Sequence, residues 1–224
     1  MLDYYSIGWI VIVLAMILTV YSQSKIKSTF NSYSKVYSKK GITGYQAARI
    51  LLDRHNMSNI PIEMVRGQLT DHYDPKNKVL RLSESVYASS SIAAIGVAAH
   101  EVGHAIQDQK DYAPLHIRNS IFPIVSISSR AAFPLILLGL FMGYSGLFDL
   151  GILVFAVTVI FQIITLPVEF DASNRAIKEL ESGLLLPDEI APVKKVLGAA
   201  ALTYIAAALA SLGNLIRFMG MRRD

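Results

Sequence analysis

The 224-residue chain contains no cysteine and few charged residues. Without cysteine there can be no disulfide bond and no thiolate metal ligand, which leaves histidine and carboxylate side chains as candidate ligands for a metal such as zinc. Charged residues make up 17% of the sequence and hydrophobic residues 53%. A chain this apolar is not expected to be an ordinary soluble domain.

Charge is also missing from four long apolar stretches, residues 4–24, 131–148, 150–168 and 196–216. Each is close to the ~20 residues needed to cross the hydrocarbon core of a bilayer. The sequence therefore predicts an integral membrane protein with about four transmembrane helices. Positive charge follows the first stretch at Lys25 and Lys27 and does not precede it, which favours an uncleaved anchor over a signal peptide.

The formal net charge of +4 is modest, and the basic residues cluster beside the apolar stretches. This distribution favours membrane topology over nucleic-acid binding, and we expect no nucleic-acid partner. We expect a multi-pass cell-membrane protein. The lysines after the first stretch place its N-terminus outside and the next region in the cytoplasm. Four spans then place Arg222 and Arg223 outside, against the positive-inside tendency, although the first loop carries more basic residues. Those first-loop residues are Lys25, Lys27, Lys35, Lys39 and Lys40.

The strongest chemical signal is His100, Glu101 and His104, which form a His-Glu-x-x-His pattern in a stretch typical of a helix. The two histidines are one helical turn apart, so both imidazoles leave the same face and can hold one metal ion. Glu101 lies beside that face, where its carboxylate can act on an attacking water without binding the metal. A helix whose histidines merely face water or pack in a core is the alternative, and the position of Glu101 favours zinc.

Short alternating segments predict three strands, residues 60–65, 69–73 and 79–83, just before the motif helix. A strand of this kind can offer its free edge to an extended peptide through main-chain hydrogen bonds, so Leu80 is a candidate substrate contact. A sheet that only covers the helix explains the pattern equally well. His72 fits a turn residue better than a metal ligand.

Helix boundaries can also be predicted. Thr43 is expected to cap a helix over Gly44–Asn56, and Ser83 or Ser85 is expected to cap one continuous motif helix over residues 86–109. Residues 24–42 are expected to form a linker or a surface helix.

Arg130 interrupts an apolar tract. This position favours a surface helix over residues 117–129 and a membrane part starting near Ala131. The alternative is that Arg130 faces the site.

Further polar residues flank the apolar stretches. His116 and Arg118 are candidate substrate contacts, although residues in this position more often lie at the lipid headgroup level. Glu169 and Asp171 lie on the same membrane side as the motif if the second and third spans form a hairpin. Because they are two residues apart, we do not expect both to bind one ion on a helix. Asp171 either orients His100 or His104, or is an exposed carboxylate.

Two segments together resemble a known family: His-Glu-Val-Gly-His-Ala-Ile-Gln at residues 100–107 and Pro-Val-Glu-Phe-Asp-Ala-Ser at residues 167–173. Along essentially its full length the chain resembles the YugP-like membrane zinc metallopeptidases of bacteria. More distantly it is similar to the HtpX and CAAX-prenyl endopeptidase group, in which a Glu-x-x-Ala-Asp stretch supplies the third zinc ligand. The resemblance implies that Glu169 is that ligand. Ser173 stands where the distant group has Asp.

The expected fold is a mainly α membrane protein with about four transmembrane helices and a small α+β gluzincin-like zinc peptidase region. Its predicted parts are an anchor (1–23), a soluble peptidase region (24–118), a hydrophobic helical hairpin (119–168), a segment with the third zinc ligand (169–195), and a final transmembrane helix with a tail (196–224).

The expected function is zinc-dependent cleavage of proteins or peptides beside the membrane, near the cytoplasmic face. A metal-binding membrane scaffold without proteolysis is the alternative, and Glu101→Gln distinguishes the two. A site-2-type intramembrane protease is disfavoured because the motif is not inside a full span. A transporter is disfavoured because the sequence shows no inverted repeat. The sequence does not define an oligomeric state.

Overall fold

The computed structural model describes residues 4–222, which form two compact units. The helical unit consists of the described residues of Met1–Gln23, Ala113–Pro167 and Leu202–Asp224. The mixed unit consists of Ser24–Tyr112 and Val168–Ala201. The predicted tail residue Arg223 lies outside the described residues, as do the first three residues of the predicted anchor.

Within residues 4–222, four helices are long and apolar enough to cross a membrane, which confirms the predicted number of spans. In the most apolar part of each helix only 17% to 39% of the residues are buried, so most apolar side chains face outward. Outward-facing apolar side chains are typical of helices whose surroundings are lipid. The four helices are α1 (Tyr4–Tyr33), α5 (Ala113–Met142), α6 (Ser145–Glu179) and α7 (Pro187–Gly220).

Within the helical unit, α5 runs without interruption through Arg130. The predicted separate surface helix over residues 117–129 is therefore wrong, whereas the start of the membrane part near Ala131 stays a prediction. Exposed apolar side chains such as Ile124 and Ile127 continue the outward face on the N-terminal side of Arg130. Pro123 and Pro134 are accommodated inside the helix, as membrane helices allow.

The mixed unit contains a three-stranded sheet close to the predicted places, although the second strand begins at His72 and not at residue 69. The strands are β1 (Ile62–Val65), β2 (His72–Asp74) and β3 (Val79–Ser83). Their order is β1-β3-β2, with β1 parallel and β2 antiparallel to β3. Because β3 is the middle strand, both of its edges are paired, and the outer edges of the sheet belong to β1 and β2.

The first helix of the mixed unit is α2 (Gly44–Arg54), and its predicted cap is confirmed. The Thr43 hydroxyl accepts a hydrogen bond from the Gln46 backbone, and the Gln46 side chain accepts one from the Thr43 backbone. This reciprocal pair is a capping box, which satisfies two backbone donors at once. Ahead of it, α1 continues to Tyr33, so the first part of the 24–42 segment is helical.

The motif helix begins later than predicted. A short helix, α3 (Glu84–Tyr87), is separated by a break from α4 (Ile92–Gln109). The break forms because Ser91 caps α4, accepting a hydrogen bond from the Ala94 backbone, while Ser89 donates to the Ser91 hydroxyl. The single helix predicted over residues 86–109 is therefore wrong at its N-terminal end.

The core of the mixed unit surrounds α4. Nearly all residues of this helix are buried, which explains its run of small apolar side chains. The core residues around it come mainly from α2, β3, α3, the part of α6 beyond Val168 and the start of α7. Among the largest fully buried side chains are Leu51, Leu80, Leu82, Ile95 and Val102.

Candidate metal centre

His100 and His104 leave one face of α4 and meet Glu169 on α6, within the mixed unit. The distance from Glu169 Oε2 is 3.3 Å to His100 Nε2 and 3.6 Å to His104 Nε2. One ligand atom from each of the three residues lies within 4.8 Å of the others. Their side chains are between 7% and 14% exposed, so this cluster is nearly closed to solvent.

A close approach of two backbones brings these side chains together. Gly103 lies against Ala172 on α6, and a Cβ atom at position 103 would collide with the Ala172 carbonyl oxygen. Any side chain here would therefore force the helices apart. Glu169 is three residues before Ala172 on α6, so the same approach carries its carboxylate to the two histidines.

The other ring nitrogen of each histidine also meets an oxygen. His100 Nδ1 lies 3.1 Å from Ser173 Oγ, and His104 Nδ1 lies 3.0 Å from Gln107 Oε1. Metal-binding histidines almost always have such a partner on the nitrogen that does not bind the metal. Two imidazoles and one carboxylate are also a known catalytic zinc ligand set. The residues present therefore fit a zinc ion.

Glu101 lies beside this cluster and is only 8% exposed. Its Oε2 accepts a hydrogen bond of 3.0 Å from the backbone N–H of Tyr73 on β2. Burial raises the pKa of Glu101 to about 7, and the neighbouring Glu169 and Asp71 act in the same direction. A carboxyl group with a pKa near neutrality can both accept and release a proton, as an acid–base catalyst must.

Tyr73 ties β2 to α4 at two points. Its backbone N–H holds Glu101, and its hydroxyl donates a 2.7 Å hydrogen bond to the buried Asp108 carboxylate. The Lys78 ammonium group also donates to Asp108. Sequence reasoning missed this role of Tyr73, because no local pattern shows that a strand residue reaches the motif helix.

Among the described residues, the predicted partner Asp171 forms no hydrogen bond with either histidine. Asp171 accepts a hydrogen bond of 2.8 Å from Gln107 and pairs with Arg175, so Gln107 stands between it and His104. Gln107 was also missed, although its position three residues after His104 is the available signal, because residues three apart share a helix face.

Leu80 is fully buried in the middle strand, so it offers no surface to a substrate. This corrects the expectation that its strand has a free edge. His116 and Arg118 lie near the start of α5, in the helical unit, and their proposed substrate contacts remain predictions.

By fold and donor set, the chain is a helical membrane protein with a buried cluster of two histidines and a carboxylate. A family model described as "Putative neutral zinc metallopeptidase" matches residues 8–223, and the chain belongs to this family. It is 51% identical over 206 residues to a Bacillus subtilis (strain 168) protein named "Putative membrane protease YugP", covering 92% of each chain. These matches confirm the family resemblance. No solved structure matches the chain.

Proposed function

We propose that the chain is a membrane-embedded zinc metalloendopeptidase in which His100, His104 and Glu169 hold the ion. The observation that carries this proposal is the convergence of these three side chains beside the buried Glu101 carboxylate. Membership of a zinc metallopeptidase family supports the same choice of metal and reaction.

Peptide-bond hydrolysis at this site would need two groups, the zinc ion and the Glu101 carboxylate. Zinc held by His100, His104 and Glu169 would polarise the scissile carbonyl and would lower the pKa of water from near 16 to about 7. Glu101 takes a proton from the attacking water and delivers it to the leaving amine, acting first as base and then as acid. The Tyr73 N–H holds the Glu101 carboxylate in place through its hydrogen bond.

The charge of the proposed ligand set suits this reaction. As ligands the two histidines would be neutral and Glu169 would contribute one negative charge, so a divalent ion held here would keep a net positive charge. Such a charge would stabilise the oxyanion that develops on the carbonyl oxygen. Ser173 and Gln107, which contact the histidines, add no further negative charge.

The proposed substrates are membrane-associated proteins or peptides near the cytoplasmic face of the cell membrane. The run of lysines after the first span supports this orientation through the positive-inside tendency. The name of the Bacillus subtilis relative includes the words membrane protease, which supports proteolysis at a membrane.

The test measures zinc content and cleavage of an unfolded reporter protein by the full-length chain in detergent. Wild type is expected to hold about one zinc ion and to cleave. Glu101→Gln should keep zinc and lose about 10²–10⁴-fold in activity, the usual contribution of a general base. Glu169→Ala should lose the metal.

The matched control is Glu63→Gln, since the Glu63 side chain is 54% exposed on β1 and pairs with Arg81. It is expected to behave like wild type. Equal activity in Glu101→Gln and wild type would contradict the peptidase proposal and favour a metal-binding scaffold. Full metal content in Glu169→Ala would remove Glu169 from the ligand set.

A further inference from the structure

Gln107 is a fully buried polar side chain on α4, one turn beyond His104. Its amide nitrogen lies 2.8 Å from the Val168 carbonyl oxygen and 2.8 Å from Asp171 Oδ2. Its amide oxygen lies 3.0 Å from His104 Nδ1. A buried amide is costly unless it is hydrogen-bonded, and these contacts use both of its N–H groups and its oxygen.

The surroundings permit only one orientation of this amide. A backbone carbonyl oxygen can only accept a hydrogen bond, and Asp171 is paired with the Arg175 guanidinium, with Nε 2.5 Å from Oδ2. The Gln107 NH₂ group must therefore face Val168 and Asp171. Its oxygen is then left for His104, and because that oxygen only accepts, His104 Nδ1 must carry the proton.

This proton position determines what His104 presents to the cluster. A neutral imidazole with its proton on Nδ1 has its lone pair on Nε2, which is the nitrogen 3.6 Å from Glu169 Oε2. A lone pair is what a metal ligand needs. The opposite tautomer would turn an N–H bond toward the proposed zinc position.

We propose that Gln107 is a positioning residue that fixes His104 in the metal-binding tautomer, and that Asp171 and Arg175 hold Gln107 in turn. This inference rests on the proposed zinc function. The connection runs from α6 through Arg175, Asp171 and Gln107 to His104 on α4. The Arg175 guanidinium also lies over the Tyr112 ring, 5.6 Å from its centroid.

The arrangement explains how Asp171 acts without touching the histidine. In many metal sites a carboxylate bonds directly to the ligating histidine. Here a neutral amide stands between them, so the negative charge of Asp171 is matched by Arg175 and not by the imidazole. We therefore expect Gln107 to control the geometry of His104 more than its charge.

The first experiment compares Gln107→Met with Gln109→Met in the full-length chain in detergent. Methionine is similar in length to glutamine and removes the amide. Gln109 is the matched control, since it lies on the same helix, is exposed, and bonds the His55 carbonyl oxygen. Zinc affinity is measured by competition with a chromophoric chelator, and ligand geometry by the visible absorption of the Co²⁺ form.

Gln107→Met is expected to bind zinc about 10–100-fold more weakly and to change the Co²⁺ spectrum. Gln109→Met should match wild type in both measurements. A general loss of stability would not change the spectrum of the folded, metal-loaded fraction. Equal affinity and equal spectra in the two variants would overturn the proposal.

The second experiment does not depend on a variant that folds. In chelator-treated wild type labelled with ¹⁵N-histidine, NMR should report the Nδ1–H tautomer for neutral His104. The Nε2–H tautomer would overturn the role of Gln107. If wild type fails to bind zinc, the proposed function fails, whereas the tautomer still decides whether Gln107 orients His104.

Discussion

In the helical unit, large apolar side chains point outward, whereas in the mixed unit they are enclosed. Leu153 and Phe141 of the helical unit are 67% and 83% exposed, and Leu51 and Leu82 of the mixed unit are fully buried. The same residue types therefore have two environments, lipid in the first unit and protein interior in the second. Hydrophobicity alone therefore does not distinguish a protein core from a membrane-facing surface.

The mixed unit also encloses polar side chains. In the mixed unit, buried polar groups such as Glu101, Gln107 and Asp108 have defined hydrogen-bond partners. A closed protein core can hold such groups because each loses water but gains a partner. The comparison shows why the proposed zinc ligands belong to the unit with the enclosed core.

The largest expected effect tests the two environments directly. Leu82→Ala should lower the free energy of unfolding by about 2–5 kcal/mol, because it leaves a cavity in a packed core. Leu153→Ala should change it by less than about 0.5 kcal/mol, because an outward side chain leaves no cavity. Unfolding in mild detergent measures both. Similar losses in the two variants would show that Leu153 is packed against protein.

The next effect compares close helix contacts in the two units. Gly103→Ala and Gly139→Ala should each cost about 1–3 kcal/mol, because the new methyl groups meet the backbones of Ala172 and Phe148. Only Gly103→Ala should also weaken zinc binding in the chelator assay, since all proposed ligands are in the mixed unit.

Gly198→Ala is the control for this comparison. A Cβ atom at this helical position meets nothing within 4 Å, so the change should stabilise α7 by about 0.5–1 kcal/mol. Weakened zinc binding in Gly139→Ala would contradict the assignment of the site to one unit.

The smallest effect concerns pH. Hydrogen bonds from the Asn77 side chain and backbone hold the pKa of Asp74 well below its ordinary value. A carboxyl group whose folded-state pKa is lowered stabilises the fold above its unfolded pKa of about 3.9, and this contribution is lost as the pH falls further. Asp74→Asn should therefore cost about 1 kcal/mol at neutral pH.

The difference between wild type and Asp74→Asn should shrink as the pH falls below about 4 in unfolding experiments at several pH values. A difference that stays constant down to pH 2 would show that the hydrogen bonds of Asp74 do not depend on its charge.

Features encoded by neighbouring residues could be predicted from the sequence. The spacing of His100 and His104, the Thr43 cap and the four apolar stretches each depend on a few adjacent residues. The break before α4 was missed because the uncharged run from Ser85 to Ala99 is compatible with one helix. The helix is interrupted where Ser91 forms the N-terminal cap of α4. The continuity of α5 was missed because Arg130 suggested a boundary that the helix does not have.

Features that depend on distant residues could not be predicted. Which strand lies in the middle of the sheet depends on pairing between segments far apart, so the burial of Leu80 was not foreseen. Two of the groups that Gln107 contacts, the Val168 carbonyl and Asp171, come from α6, about sixty residues later in the chain. The resemblance pointed to Glu169, but its distances to the histidines required the fold.

The close contact at Gly103 limits how much this stretch can vary. A His-Glu-x-x-His pattern has two positions that the chemistry leaves open, here Val102 and Gly103. Val102 is fully buried, and position 103 has no room for any side chain. In a saturation library of residues 100–104 selected for folding and activity, we therefore expect all five positions to accept few amino acids, three because of chemistry and two because of space.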